Sequence, residues 1–477
     1  MPQRVILDGL WCGQGMANMV RVFKSTDTDP NTNPSDWLCV FDFGSGGLSS
    51  SKKVLGITPP VAFIMEQLKL QVKAGRTATI DLMLISHQDR DHWALLGELN
   101  QQIESEKMTV VVGRMILSGA NWRQSSKTTV NKFVKRVPNK KNVTWYDDEY
   151  SAYYDPEEAI RTVSIGDLQM SVLVTNVATN DSKEDIERNC SSALVLLRLP
   201  GSFGQPGYGF ILPGDATWET FKRFKKIMSF WPNNPLPLIY AASVPHHGAL
   251  RTMNRNSSVA KPDLRDLIWF TDFTRPTSIY ASAGIKNSHS HPYRIILETM
   301  GRYTKAQQFQ PRPIVVFNGG TGKFELLPNI RDNVYTTVLN LTTPAQTANW
   351  TFNITQIATS TGIQLFNAGV PGILSAPQLN QMELTAQRTN AEREEMDTSM
   401  DVENVAAFAR SPVLWGPEVA TNGGPPVAAT EFGPMPWSAK DAPAVQTYHL
   451  PQATAGAARE VTRRVPPRRV RVGPTAS

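Results

Sequence analysis

Cysteine is nearly missing from this chain: 3 among 477 residues, at Cys12, Cys39 and Cys190. An odd number without any Cys-x-x-Cys pair excludes a disulfide framework and a thiolate zinc knot, and fits a reducing compartment. Long apolar runs are missing too; none approaches the roughly 18 consecutive residues of a membrane-spanning helix. The opening MPQRVILDGLWCGQG runs straight into strand and turn, with no basic region followed by a signal-type apolar core. The expectation is a soluble, unexported, cytoplasmic protein with no membrane partner, of an oligomeric state the sequence leaves open. Neither sign of charge dominates: the net charge of +6 permits an anionic partner without demanding one. A hydrophobic content of 41% is ordinary for a globular protein and allows most of the chain to bury a core.

Histidine is also scarce, with 7 residues, yet six of these fall in three short clusters. They are His87 and His92 in Ser-His-Gln-Asp-Arg-Asp-His, His246 and His247 in Pro-His-His-Gly, and His289 and His291 in Ser-His-Ser-His-Pro. The first cluster follows Ile80–Ile85, an apolar run of strand length, and precedes Trp93–Leu99, which has helical spacing. His87, Asp89, Asp91 and His92 therefore sit on a strand-to-helix turn, where imidazoles and carboxylates can converge on cations. The competing reading is a solvated polar turn with Asp91 as a helix cap.

Further segments carry a resemblance. His-x-Asp-x-Asp-His at 87–92 resembles the variant metallo-β-lactamase signature of the ComEC-type competence domain, whose relatives more often read His-x-His-x-Asp-His. In chain order, Cys12-Gly13-Gln14-Gly15, Val40-Phe41-Asp42-Phe43-Gly44, Asn189 through Leu199, Phe210 through Ala216, Ser243 through Gly248, and Ser282-Ala283-Gly284 with Asn287 and His291-Pro292 resemble its other motifs. The match spans roughly residues 3 to 327, with large insertions. It implies an αββα sandwich and a hydrolase with two divalent cations, Zn²⁺ or Mn²⁺. By the family pattern Asp91, His92 and His247 hold one cation, His87 and Asp89 the other, and Asp215 bridges them. Asp42 is expected to orient an imidazole ligand. His291 resembles the family's substrate-side histidine, suited to hydrogen-bond a phosphoryl oxygen or protonate a leaving group.

Two departures stand out. The ComEC domain accompanies a membrane channel, whereas no run here approaches membrane-spanning length, so a role in DNA uptake is not the expectation. No histidine lies between His92 and His246, so the site of His87 and Asp89 lacks the usual third imidazole. Asn189 or Ser191 can offer oxygen there, and the expectation is one tight and one weaker, harder site. His246 carries less weight as a ligand than as a catalytic residue, because on an extended chain it points away from His247 unless the backbone turns.

Strand-like runs alternate with helix-period runs at 60–74, 93–104, 218–230 and 293–302, which again favours two mixed sheets flanked by helices. A catalytic domain is read over residues 1–329, an extension without an assignable motif over 330–410, and a Pro/Gly/Ala-rich, Arg-ended, disordered tail over 411–477. An insertion at 118–154 is basic; its Lys132, Lys135, Arg136, Lys140 and Lys141 are suited to a phosphate backbone, against a merely solvated helical face. In Lys222 to Lys226 the cations are expected outside and Phe221 and Phe224 inside. The leading reading is a phosphodiesterase or nuclease acting through metal-activated water. The alternatives are a small-molecule esterase, phosphodiesterase or lactonase of the same fold, or a metal-binding scaffold that no longer turns over.

Overall fold

The structure, a computed structural model, describes residues 3–46, 59–119, 122–146, 150–151, 162–179, 184–201, 207–229, 236–256, 259, 261–284, 290–304, 313–327, 333–339, 341, 349–358, 364–368 and 371–373. His289, Asn287, His449 and the whole segment 374–477, including its arginines, lie outside the described residues.

Side chains alternate across a strand, so a strand buried on both faces must be apolar at odd and even positions alike. Strand β3 (Trp37–Phe43) is of this kind. Cys39 and Phe41 join one core and Leu38 and Val40 another. In the first sheet, β1 (Gln3–Gly9) and β2 (Ala17–Phe23) pair antiparallel, and β2 pairs antiparallel with β3. From β3 the sheet continues in parallel through β4 (Ala78–Ile85), β5 (Val110–Ser118) and β6 (Val143–Tyr146).

The second sheet begins with β7 (Tyr150–Ser151) and β8 (Thr162–Ile165), both antiparallel to β9 (Leu168–Thr175), which pairs antiparallel with β10 (Leu194–Leu199). Next to it, antiparallel again, is β11 (Tyr208–Leu212), after which β12 (Leu238–Ser243) and β13 (Ser278–Ala281) run parallel. A separate hairpin joins β14 (Ile314–Asn318) to β15 (Lys323–Leu327).

The first sheet's inner face meets the second's over Val20, Phe41, Leu84, Val195, Phe210, Tyr240 and Tyr280. On its outer face Val40, Met83 and Leu117 pack under helices 59–73, 95–105 and 124–134 through Ile64, Leu68, Leu99 and Phe133. The second sheet's outer face packs under helices 218–229, 265–274 and 294–303 through Phe221, Phe270 and Ile296. The architecture is thus an αββα sandwich of mixed sheets. Phe221 and Phe224 are fully buried while Lys222, Lys225 and Lys226 between and beyond them are exposed, as a one-sided helix requires. Among the described residues no helix is long and apolar enough to cross a membrane.

The described part of the segment that composition set apart as an extension belongs to the sandwich. Strand β16 (Val334–Thr336) lies parallel to β13, and β17 (Trp350–Ala358) pairs antiparallel along all of β1, with β18 (Gln364–Ala368) and β19 (Gly372–Ile373) on its far side. Tyr335, Trp350, Phe352 and Ile354 enter the core between the sheets. A domain ending at residue 329 would leave that core open. Composition hid this because β17 turns Thr351, Asn353 and Thr355 outward, which dilutes its apolar content by half.

Candidate metal centre

Parallel strands direct their C-terminal ends to one rim, where loops carrying chemistry gather. Here β3 carries Asp42 next to its last residue, β4 runs into Ser86 and His87, β11 into Gly214 and Asp215, β12 into His246 and His247, and β13 into Ser282. Backbone hydrogen bonds stitch this rim together: Ala193 N donates to Ser86 O at 2.9 Å across the two sheets, and His246 N to Gly214 O at 2.9 Å. Gly214, with φ of 55°, could not carry a side chain, since a Cβ would overlap the Ser192 hydroxyl. That hydroxyl accepts from Asp215 N at 2.8 Å and so sets the carboxylate's position.

After β4 the chain turns into a single helical turn, Arg90–Trp93, with Asp89 at its N-cap position and no side-chain capping bond. Asp91 lies inside that turn, so it is not a cap. His92 Nδ1 stands 3.0 Å from Asp42 Oδ2, while Asp42 Oδ1 accepts from Ser86 N at 2.6 Å. Asp42 thereby accepts the Nδ1–H and turns Nε2 toward the cluster, the usual second role of a carboxylate behind a ligand. His247 is held likewise, its Nδ1 donating to the Ser282 carbonyl at 2.7 Å. The Ser86 hydroxyl is 3.2 Å from Nδ1 of both His87 and His92.

The inward atoms converge. Asp215 Oδ1 lies 3.1 Å from His92 Nε2 and 3.7 Å from His247 Nε2, and His247 Nε2 lies 3.3 Å from Asp91 Oδ2. One donor atom each from Asp91, His92, Asp215 and His247 falls within 4.8 Å of the other three. Asp215 Oδ2 faces a different set: His246 Nε2 at 3.4 Å and His87 Nε2 at 3.7 Å, the latter also 3.8 Å from Asp89 Oδ2. Arg188 Nη2 binds Asp89 Oδ1 at 2.6 Å.

Burial pushes each buried imidazole toward its neutral form. At His87 burial prevails, aided by the neighbouring His92, and holds the ring well below the ordinary imidazole range. At His92 and His247 burial is overridden, by Asp215 and Asp42 for the first and by Asp215 and Asp91 for the second, and both rings titrate above that range. Burial is overridden in Asp215 too, where His246, His92 and His247 hold the carboxyl well below the ordinary carboxylate range. For Asp89 burial outweighs Arg188 and raises the carboxyl.

A divalent cation fits this arrangement. The Nε2 atoms of His87, His92 and His247 and Oδ1 of Asp215 are buried and make no hydrogen bond among the described residues. A buried polar atom left so costs about 1–3 kcal/mol; His92, His247 and Asp215 Oδ1 converge on one region while His87 faces the other side of Asp215, and a cation would offset that cost. Imidazole nitrogen with carboxylate oxygen is a donor set that a divalent cation accepts.

His291 is buried with its ring stacked on that of His247, centroids 5.4 Å apart, and 6.3 Å from His246. Ser191 Oγ is engaged with Gln88 Oε1 at 2.9 Å and the Arg188 carbonyl at 2.6 Å, which turns it to the loop backbone; Asn189 is buried at the end of the helix 184–189. Of the five basic insertion residues, Lys132, Lys135, Lys140 and Lys141 are exposed and Arg136 is half-buried. Arg136 instead bonds Asn100 Oδ1 at 3.0 Å and lies over the Phe133 ring, and Lys140 Nζ bonds the carbonyls of Val134 and Val137 at 2.8 and 3.1 Å. Those two brace the helix end. Arg188 was not singled out from sequence; no local signal ties it to a carboxylate 99 positions away.

A solved structure, that of the metallo-beta-lactamase fold protein YhfI from Bacillus subtilis, aligns with this chain at 11% identity and a TM-score of 0.28, covering 60% of this chain and 87% of that one. No protein-family model matches the chain, and no curated protein matches it.

Proposed function

We propose that this protein is a metal-dependent hydrolase of phosphodiesters, with nucleic acid as its substrate class and Zn²⁺ or Mn²⁺ as its cations. The observation that carries the reading is Asp215, a buried carboxylate whose two oxygens face separate sets of imidazoles, Oδ1 toward His92 and His247 and Oδ2 toward His87 and His246. A carboxylate between two such sets is what a pair of adjacent cations needs. Divalent cations held there supply Lewis acidity toward a phosphoryl oxygen and a nucleophile from water at neutral pH.

The chain's own residues do the rest. Asp42 and the Ser282 carbonyl keep His92 and His247 in the tautomer that presents Nε2. Asp91, with its side chain 29% exposed, is the most open carboxylate of the cluster and is placed to accept a hydrogen bond from a water arriving from solvent. His291, stacked on His247, sits where it can hydrogen-bond an anionic oxygen or return a proton to the departing alcohol.

The nucleic-acid reading is supported by the exposed Lys127 and Lys132 on helix 124–134, which packs against the turn bearing Asp91 and His92, and by Lys135 and Lys141 just beyond. Replacing Lys132, Lys135 and Lys141 together with Gln, while keeping Arg136 and Lys140, is expected to weaken DNA and RNA binding. It should also flatten the salt dependence by about 1 unit of log–log slope per lysine removed. Turnover of bis-p-nitrophenyl phosphate should stay as in wild type, because that small diester needs no extended surface. Binding of DNA and RNA unchanged across the salt range would remove the nucleic-acid reading and leave a small-ester hydrolase.

A further inference from the structure

We infer that His246 supplies the nitrogen missing from the second cation site, so that the two sites are built to one plan. The inference rests on the hydrolase reading above and deepens it. The absent histidine between His92 and His246 pointed to a site completed by oxygen from Asn189 or Ser191. The geometry points to the neighbour of His247 instead. His246 Nε2 is 3.4 Å from Asp215 Oδ2, the oxygen that also faces His87 Nε2 at 3.7 Å. Contacts of this length are what separate atoms that share one tetrahedral ion, since ligand bonds of about 2.0–2.2 Å at tetrahedral angles put the donors about 3.4 Å apart.

Two adjacent residues of an extended strand point to opposite sides and cannot serve neighbouring sites. Here the backbone turns: His246 has φ of 44° and His247 φ of 51°, both left-handed. Non-glycine residues avoid that region at a cost of order 1–3 kcal/mol each, and it recurs where a site demands it. The double excursion, held by His246 N on Gly214 O and by Ala249 N on His246 O at 2.8 Å, swings both rings onto the two oxygens of one carboxylate.

The resulting donor sets correspond in residue type: the donor atoms of the first lie within 4.8 Å of one another, and the second is linked pairwise through Asp215 Oδ2 and His87 Nε2. The first site takes Asp91, His92, His247 and Oδ1 of Asp215. The second takes Asp89, His87, His246 and Oδ2 of Asp215. Each draws one carboxylate and one imidazole from the segment 87–92, one imidazole from the His-His pair, and half of Asp215. What makes them unequal is charge: Arg188 binds Asp89 Oδ1 at 2.6 Å, so the second site's own carboxylate is already shared with a cation of the protein, whereas Asp91 has no such partner among its ion pairs. On this assignment the second site has a ligand of each kind that the first has and is weaker by electrostatics. That is a different cause from a missing ligand, and it responds to different substitutions.

The test is a titration of metal-stripped, full-length protein with Co²⁺ followed by its d–d absorption, and with Zn²⁺ against a competing chelator. Wild type, His246→Gln, His247→Gln and Arg188→Gln are compared, with imidazole ¹⁵N shifts recorded for the wild type. Wild type should take up two equivalents in unequal steps. His246→Gln should weaken the later step by about 100-fold or more, above the roughly 10–100-fold cost of losing an outer partner, and leave the earlier step in place. His247→Gln should do the reverse, and Arg188→Gln should tighten the later step. In wild type the His246 Nε2 shift should move with the second equivalent, a readout that needs no variant to fold. If wild type binds two cations but His246→Gln binds both as tightly, or the His246 ring does not respond, the inference falls and the hydrolase reading stands. If wild type takes up a single cation the inference also falls. Failure of wild type to bind any cation would overturn the hydrolase reading itself.

Discussion

Asp215→Asn is expected to remove hydrolysis of bis-p-nitrophenyl phosphate by a factor on the order of 10³ or more, the scale set by loss of a preorganised charge-stabilising group. It should weaken both cation-binding steps at once. Every other ligand substitution touches one set of donors, but Asp215 offers an oxygen to each, and an amide keeps one neutral oxygen and turns a nitrogen toward the other set. The fold should survive. Asp215 is buried, but its backbone N–H still reaches the Ser192 hydroxyl, and the imidazoles around it can shed the protons that the carboxylate had favoured. Urea unfolding of the metal-free variant should therefore shift by no more than about 1–3 kcal/mol. Cation content by elemental analysis and turnover on the same preparation check the prediction. Retention of either binding step at wild-type affinity would show that Asp215 does not bridge.

The second large effect is expected away from any ligand, at Gly44. A Cβ on this residue would overlap the backbone of Asp91 and His92, not the tip of a flexible side chain. The contact is part of a short relay: Gly44 N donates to Met16 O and Met16 N to Asp91 O, both at 3.0 Å, so the end of β3, the start of β2 and the metal-binding turn are tied at one point. Gly44→Ala must push the turn outward, which costs about 1–3 kcal/mol of stability. It also moves Asp91 and His92 off their common focus with Asp215 and His247, so cation affinity and turnover should fall together. Gly97→Ala is the control. It lies in helix 95–105, where an added methyl would meet only Thr129 Cγ2 at 3.9 Å, and it should leave activity intact and raise stability by up to about 1 kcal/mol. Equal behaviour of the two variants in urea unfolding would refute the packing argument at Gly44.

Much of this molecule could be read from its sequence because its signals are local. Leu38 to Phe41 alternates between two cores with no polar break, as a strand covered on both faces must. His87, Asp89, Asp91 and His92 follow a strand directly, so their place at a rim is set by the chain's own neighbours. What escaped was decided at long range. Strand β17 pairs with β1 across more than three hundred residues, and Asn349 Oδ1 accepts from Trp11 N at 2.7 Å, yet Thr and Asn on its outer side make it look like a polar extension. The direction of His246 depends on two successive left-handed residues, a conformation that histidine does not announce. Arg188 and Asp89 meet only because the helix 184–189 and the 86–93 turn are brought to the same rim by different sheets. The bracing role of Arg136 and Lys140, outwardly two more cations of a basic run, is visible only once Asn100 and the carbonyls of Val134 and Val137 are in place.

The central claim is that a divalent cation held by Asp91, His92, Asp215 and His247 is required for hydrolysis of a phosphate diester. The most direct measurement strips the purified full-length protein with a chelator, removes the chelator, and follows bis-p-nitrophenyl phosphate turnover while Mn²⁺ or Zn²⁺ is added back in stoichiometric steps. Turnover should be absent in the stripped protein and should recover in step with cation occupancy. Turnover that survives stripping, or a protein that binds cation fully and hydrolyses neither this diester nor DNA nor RNA, would contradict the claim.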